Sequence, residues 1–160
     1  MPIKQLPREP GTYVLILRSL KAQKCSIGKA GQMDIRPGFY LYTGSALGPG
    51  GLRARAGRHL QGSTALRWHI DHLRRAADAW AAWLRVGPEQ AEHDWAATLR
   101  HMPELTPGMH KFGATDCACG THLFYTDAAP CIDRFRHQLQ LNGLAANVAE
   151  ICCQNIQPPG

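Results

Sequence analysis

The chain has 160 residues, 44% of them hydrophobic and 19% charged, which describes one globular domain, two at most. A chain of this size buries roughly 68–70% of its unfolded surface and needs no disulfide staples. Apolar runs such as Tyr13–Leu17 are too short to span a bilayer, and collagen, coiled coil and extended disorder are excluded as well. The net charge of +6 is unevenly placed. Residues 1–75 hold 4 Lys and 9 Arg against three acids, a balance of +10, and residues 76–160 carry −4. A basic half beside an acidic half suggests a polyanion-binding face, and Arg outnumbers Lys 13 to 5, the better fork for phosphate. Met1-Pro2-Ile3-Lys4-Gln5 lacks the apolar core of a secretory signal, so a cytoplasmic chain with six reduced cysteines is expected.

In chain order, Pro7-Arg8-Glu9-Pro10-Gly11 reads as a turn feeding a strand over Tyr13–Leu17. Cys25–Lys29 and Gln32–Ile35 read as a short hairpin around Ala30-Gly31, and Phe39–Thr43 as a second strong strand. Gly48-Pro49-Gly50-Gly51 is a loop, followed by helices over Leu52–Leu60 and Trp68–Ala77. Asp78–Val86 reads as a strand, although its alanines leave a helix open. Pro88 suits the first turn of a helix running to about Arg100. Thr121–Tyr125 is a late strand, Cys131–Asn142 a late helix, and 154–160 a frayed tail. The fold class is α+β: a small, largely antiparallel sheet of about three core strands plus an extra hairpin or late strand, flanked by helices. The expected division is a main domain over 1–128 and a helical extension over 129–160 packed on it.

Five patterns bear on chemistry. On the Leu52–Leu60 helix, with Leu52 at zero, Arg55 falls at about 300° and His59 at about 340°, on the apolar stripe that faces the sheet, while Arg58 at about 240° faces solvent. Burying Arg or His unpaired is costly, so these two need a reason; snorkelling or pairing with a carboxylate is the plain one. Tyr40 and Tyr42 share one face of their strand, with Phe39, Leu41 and Thr43 on the other. Glu92, Trp95, Ala96 and Leu99 share one helix face, so the Glu92 carboxylate points inward, toward a partner or a metal. His69 and Asp71 diverge by about 200° on a helix, so only one faces any shared site. Cys117, Cys119 and His122 suggest a structural Zn²⁺, with Cys131, Cys152 or Cys153 as fourth ligand. Their spacing departs from the usual Cys-x₂₋₄-Cys pair, so buried thiols beside a strand are the favoured reading.

Gly11-Thr12-Tyr13 and Tyr42-Thr43-Gly44 resemble the two signatures of the GIY-YIG nuclease superfamily, with Thr in place of the central Ile in both. Tyr42–Ala46 followed by Leu52, Arg55 and His59 resembles that family's strand–loop–helix. Trp68-His69-Ile70-Asp71, Phe112–Cys117 and Thr121–Phe124 resemble the Uri-type subfamily. The resemblance implies a GIY-YIG-like fold and an endonuclease that hydrolyses phosphodiesters with one Mg²⁺ or Mn²⁺ held by Glu92. It gives Arg55 the role of transition-state clamp, and Tyr13 and Tyr42 those of activating and positioning water. Tyr13 is favoured as the base, with His59 holding a hydroxyl, the water or a phosphate. Ser45 stands where several branches carry a Lys, with Lys29 a candidate to substitute for it in space. Ser45, Arg53, Arg58, His69 and Lys29 are the candidate nucleic-acid contacts, and Tyr40 or Trp68 could stack bases. His69 is a phosphate contact or a structural cap. The implied partner is DNA, with RNA open and no membrane. The alternatives are a non-cleaving nucleic-acid-binding module on the same scaffold and a zinc-stabilised interaction protein.

Overall fold

A computed structural model describes residues 2–153. After a 3₁₀ turn at Pro2–Gln5, the strands are β1 (Gly11–Ser19), β2 (Gln23–Ser26), β3 (Gln32–Ile35), β4 (Gly38–Ala46), β5 (Asp78–Val86), β6 (Thr106–Pro107), β7 (Leu123–Thr126) and β8 (Ala149–Cys152). The helices are α1 (Gly51–Gln61), α2 (His69–Leu73), α3 (Glu92–His101) and α4 (Ile132–Leu141). Six strands form one sheet in the order β6-β7-β4-β1-β5-β8, and β2 with β3 forms a separate hairpin. Every described pairing is antiparallel. The α+β class therefore holds, with a wider sheet than the three core strands expected.

β1 lies at the centre, paired to β4 on one side and β5 on the other. Both of its faces are covered, which is why Tyr13-Val14-Leu15-Ile16-Leu17 is uninterrupted by polar residues. Leu15, Leu17, Tyr40, Tyr42 and Leu84 share a core with Leu52, Ala56 and Leu60 of α1 and with Ile70 and Leu73 of α2. Val14, Ile16, Leu41 and Trp83 share a second core with Trp95 and Leu99 of α3 and with Phe135 and Leu139 of α4. The sheet is thus the middle of three layers. The alternation expected of β4, tyrosines to one side and Phe39 and Leu41 to the other, is the alternation observed.

The start of α1 is anchored by backbone. The amides of Leu52 and Arg53, which a helix's first turn leaves without partners, donate to the carbonyls of Glu9 (3.0 Å) and Pro7 (2.9 Å). A Cβ on Gly51 would lie 2.2 Å from the carbonyl oxygens of Arg8 and Glu9, and its φ of +56° is one that glycine tolerates best. The Pro7–Pro10 turn therefore sets where α1 begins and so where its side chains point.

Several boundaries differ from expectation. The helix assigned to Pro88 begins only at Glu92; residues 88–91 form a turn and the lead-in, so Pro88 is not in a first helical turn. Glu92 is instead the first helical residue, where a carboxylate meets the positive end of the helix dipole. The helix read over Trp68–Ala77 is one short turn, His69–Leu73. Gly28–Ala30 is a 3₁₀ turn that divides the expected hairpin. β6 and β8 are edge strands that pair a few residues each, too brief to announce themselves by alternation. The frayed tail expected over 154–160 lies outside the described residues. Among the described residues no helix is long and apolar enough to cross a membrane.

Phe135 is fully buried, stacked on Trp83 (5.1 Å between centroids) and edge-on to Trp95 (5.1 Å). Phe135→Ala should cost about 3–5 kcal/mol of unfolding free energy, read from urea denaturation, if α4 is integral to the core beneath the sheet.

Candidate active site

At the end of the sheet where β1 begins and β4 ends there is a cleft of about 260 Å³, and Tyr13, Tyr42, Ser45, Arg55, His59 and Glu92 all line it. The residues come from β1, β4, α1 and α3, far apart in the chain and close in space. Tyr13 sits opposite Gly44 in the β1–β4 register. A Cβ on Gly44 would lie 2.4 Å from the Tyr13 hydroxyl, so the phenol occupies space that only glycine leaves free. Gly113 does the same for Tyr42: a Cβ there would lie 2.7 Å from the Tyr42 ring. The two rings stand 6.4 Å apart, centroid to centroid.

His59 completes an aromatic cage, 5.9 Å from the Tyr13 ring, 6.2 Å from Tyr42 and 5.6 Å from Trp68. It is 2% exposed. Burial lowers its pKa to about 4; Asp71 opposes this, while the Arg55 and Arg58 guanidinium groups add to it. The imidazole is therefore neutral at pH 7. Burial also drives both phenols up. Tyr13 is raised well above the ordinary value, with Tyr42 and Glu92 reinforcing burial and Arg55 opposing. Tyr42 is raised as well, by burial and then by Glu92 and Asp71, against Arg55. Arg55 pulls both phenols down, and desolvation outweighs it.

Glu92 reaches the cleft although the rest of α3 packs on the opposite face of the sheet. Ser45 Oγ donates to its Oε2 at 3.3 Å, and His122 Nδ1 lies 3.3 Å from its Oε1. Arg55 is half-buried, with its guanidinium 4.5 Å from the centre of the Trp68 ring. Arg58 takes a second position against Trp68 at 4.9 Å.

Asp71 is almost fully buried and does not line the cleft; it holds the wall in place. Its Oδ2 accepts from Arg67 N (2.8 Å), Arg58 Nη2 (2.9 Å) and Trp68 N (3.0 Å), and its Oδ1 is 3.8 Å from His59 Nδ1. Burial alone would raise this carboxyl; the hydrogen bonds from Trp68 N–H, Arg58 and Arg67 N–H overcome it and hold the pKa below the ordinary value. His69 lies in the cleft wall, where its Nδ1 accepts from Gly113 N at 2.9 Å. In the neutral ring the proton is then on Nε2. The divergence of His69 and Asp71 inferred from helical geometry is the one observed.

Three expected nucleic-acid contacts are elsewhere. Arg53 donates to the carbonyls of Leu6 (2.8 Å) and Lys4 (3.1 Å), so it ties down the N-terminal segment. Arg58 faces inward onto Asp71 rather than outward into solvent. Lys29 is exposed on the 3₁₀ turn between β2 and β3 and does not line the cleft, so it does not stand in for the lysine that Ser45 replaces. Tyr40 is buried and its hydroxyl accepts from Arg36 N at 2.9 Å, which removes it as a stacking surface. Trp68 is half-buried with both guanidinium groups on it. Asp116, a candidate groove residue from the sequence, lines the cleft with Arg67 and Thr115, and Arg67 is an exposed cation that precedes α2, where no periodicity could single it out.

Beside the cleft, His93, Cys117, Cys119 and His122 bring four potential metal-ligand atoms within 4.8 Å of one another. The fourth member is His93, not Cys131, Cys152 or Cys153. Cys131 and Cys152 are exposed and Cys153 is buried in the core with α1 and α2. The position of His93, directly after Glu92, was the available signal.

Protonating His59 must cost stability. Between its folded pKa of about 4 and the ordinary 6.5, the unfolded chain binds this proton and the folded chain resists it, so stability rises with pH across that window. Going from pH 7.5 to 4.5 should cost about 2–3 kcal/mol through this group, and His59→Gln should flatten that part of the profile in urea denaturation.

No curated protein and no solved structure matches the chain. A family model described as "Domain of unknown function DUF123" matches residues 12–142. That range runs from the start of the central strand, through every residue lining the cleft, to the end of α4, and the chain belongs to this family.

Proposed function

We propose that the protein is a metal-dependent nuclease that hydrolyses phosphodiester bonds in DNA, acting in the cytoplasm, where its free cysteines stay reduced. The observation that carries this reading is the meeting of Tyr13, Tyr42, Arg55, His59 and Glu92 in one polar cleft. The resemblance of the same residues, in the same order, to the GIY-YIG signatures supports it.

The cleft suits a hard divalent cation. Glu92 supplies a carboxylate, and Mg²⁺ takes only one or two of these while keeping most of its waters. Mg²⁺ or Mn²⁺ bound there would supply polarisation of the phosphate and charge to balance the leaving oxygen. Ser45 Oγ, donating to Glu92 Oε2, fixes the carboxylate's rotation. Arg55, steadied on Trp68, binds a non-bridging phosphate oxygen and neutralises the charge that grows on it. Burial alone keeps the Tyr13 phenol protonated, so it would first have to release its proton to solvent under the added positive charge of a filled cleft; the phenolate Oη would then take the proton of the attacking water. Tyr42 Oη and the neutral His59 orient that water and the phosphate. Arg67 on the rim meets the next phosphate, and the basic first half tracks the backbone, so binding weakens steeply with salt.

Single-stranded, duplex, flap and RNA substrates, each with Mg²⁺, Mn²⁺ or EDTA, test this reading. DNA cleavage should require the metal. Arg55→Ala should lower kcat about 100- to 1000-fold, and Glu92→Gln should lower it at least as far, with circular dichroism and thermal unfolding of both variants near wild type. Undiminished cleavage by Glu92→Gln, or no cleavage of any DNA substrate with either metal, would refute the proposal.

A further inference from the structure

His93 is the second residue of α3, Cys117 and Cys119 lie on the loop before β7, and His122 immediately precedes β7. His93 Nδ1 is 3.3 Å from Cys119 Sγ, and Cys117 Sγ is 3.6 Å from His122 Nε2. A tetrahedral zinc with Zn–S of about 2.3 Å and Zn–N of about 2.0–2.1 Å requires sulfur–nitrogen edges of about 3.5–3.6 Å. The observed edges bracket that value. Two thiols and two imidazoles form a soft donor set, suited to zinc and ill suited to the oxygen-seeking Mg²⁺ or Mn²⁺.

A further observation, at His122, points to a ligand there. The loop carrying both cysteines is pinned by Lys111, the only non-glycine described residue with a positive φ (63°). Its Nζ donates to the carbonyls of Cys117 (2.9 Å) and Cys119 (3.1 Å), and its amide donates to Gly120 O (2.6 Å). His122 is 1% exposed, and its Nδ1 has no hydrogen-bond partner of good geometry, the near acceptor being Glu92 Oε1 at 3.3 Å. A metal on Nε2 leaves the ring proton on Nδ1, against that carboxylate, which is the arrangement in which ligating histidines are usually held.

We infer that His93, Cys117, Cys119 and His122 form a closed, four-ligand structural zinc site that ties the first turn of α3 to the loop before β7, behind the cleft. The site shares no ligand with the Glu92 cation, although Glu92 lies against its His122, and it does not rest on the nuclease reading. Zinc content is measured without substrate, so the two can fail independently.

The test uses the full chain purified without chelator. Elemental analysis should find one zinc per chain in the wild type and in the control Cys152→Ser, and should find it lost in Cys117→Ser/Cys119→Ser. His93→Ala should weaken zinc retention against a chelating dye by at least about tenfold. Because the cysteine variants could misfold, the wild type carries a second reading. Its cobalt-substituted form should show the intense visible bands of tetrahedral geometry and a sulfur-to-cobalt charge-transfer band. A wild type without zinc whose cobalt form lacks these bands would overturn the inference, as would full zinc retention by a folded Cys117→Ser/Cys119→Ser protein.

Discussion

The arrangement depends on the antiparallel register that sets Tyr13 against Gly44. Any side chain at position 44 would collide with the Tyr13 phenol, and the strand pair would have to slip or the ring turn away. A slip of one residue between β1 and β4 would leave Tyr13 and Tyr42 on opposite faces of the sheet. The hydrogen bond from Thr43 Oγ1 to Tyr13 O (3.2 Å) ties the same two strands at this point. Gly113 seats Tyr42 in the same manner, and its amide also fixes His69, so one loop positions two walls of the cleft. The glycines beside the tyrosines are thus part of the site in a steric sense: they are where the rings go.

Around that register the polar groups are held by a small number of buried contacts. Asp71 gathers the amides of Arg67 and Trp68, the Arg58 guanidinium and, more distantly, His59, so a single carboxylate sets the wall that carries Trp68. Arg74 serves α1 from its other end, donating to the carbonyls of His59 (3.1 Å) and Leu60 (2.9 Å), which the helix leaves unpaired. The basic surplus of the first 75 residues is therefore only partly free. Arg53, Arg58 and Arg74 are consumed in structure, and Arg55 and Arg67 are the arginines that face the cleft. Beside the buried phenols, a neutral imidazole and a guanidinium, Glu92 and Asp116 are the carboxylates that line this space.

Much of this was legible in the residues. The apolar run of β1, the alternation of β4 and the helical stripe carrying Arg55 and His59 follow from burial on one or both faces, and each appears where periodicity places it. Glu92 was legible as an inward carboxylate, but its phase with Trp95 and Leu99 did not show that it reaches the cleft while they pack on the opposite face of the sheet. What periodicity could not reach depends on contacts distant in sequence. The inward turn of Arg58 is determined by Asp71, thirteen residues on. Arg53 is claimed by carbonyls of the N-terminal segment, and Tyr40 is buried by packing from Tyr125. The late start of α3 escaped because Pro88 satisfies a first-turn rule without being in the helix, and His93 escaped as a cluster member because its partners are more than twenty residues away.

The most direct measurement of the central claim is an anomalous difference map from crystals soaked in Mn²⁺. A peak is expected within coordination distance of the Glu92 carboxylate, in the cleft lined by Tyr13, Tyr42 and Arg55, and no such peak in crystals of Glu92→Gln. A cleft that stays empty at saturating Mn²⁺, or a peak that persists unchanged without the carboxylate, would contradict that claim.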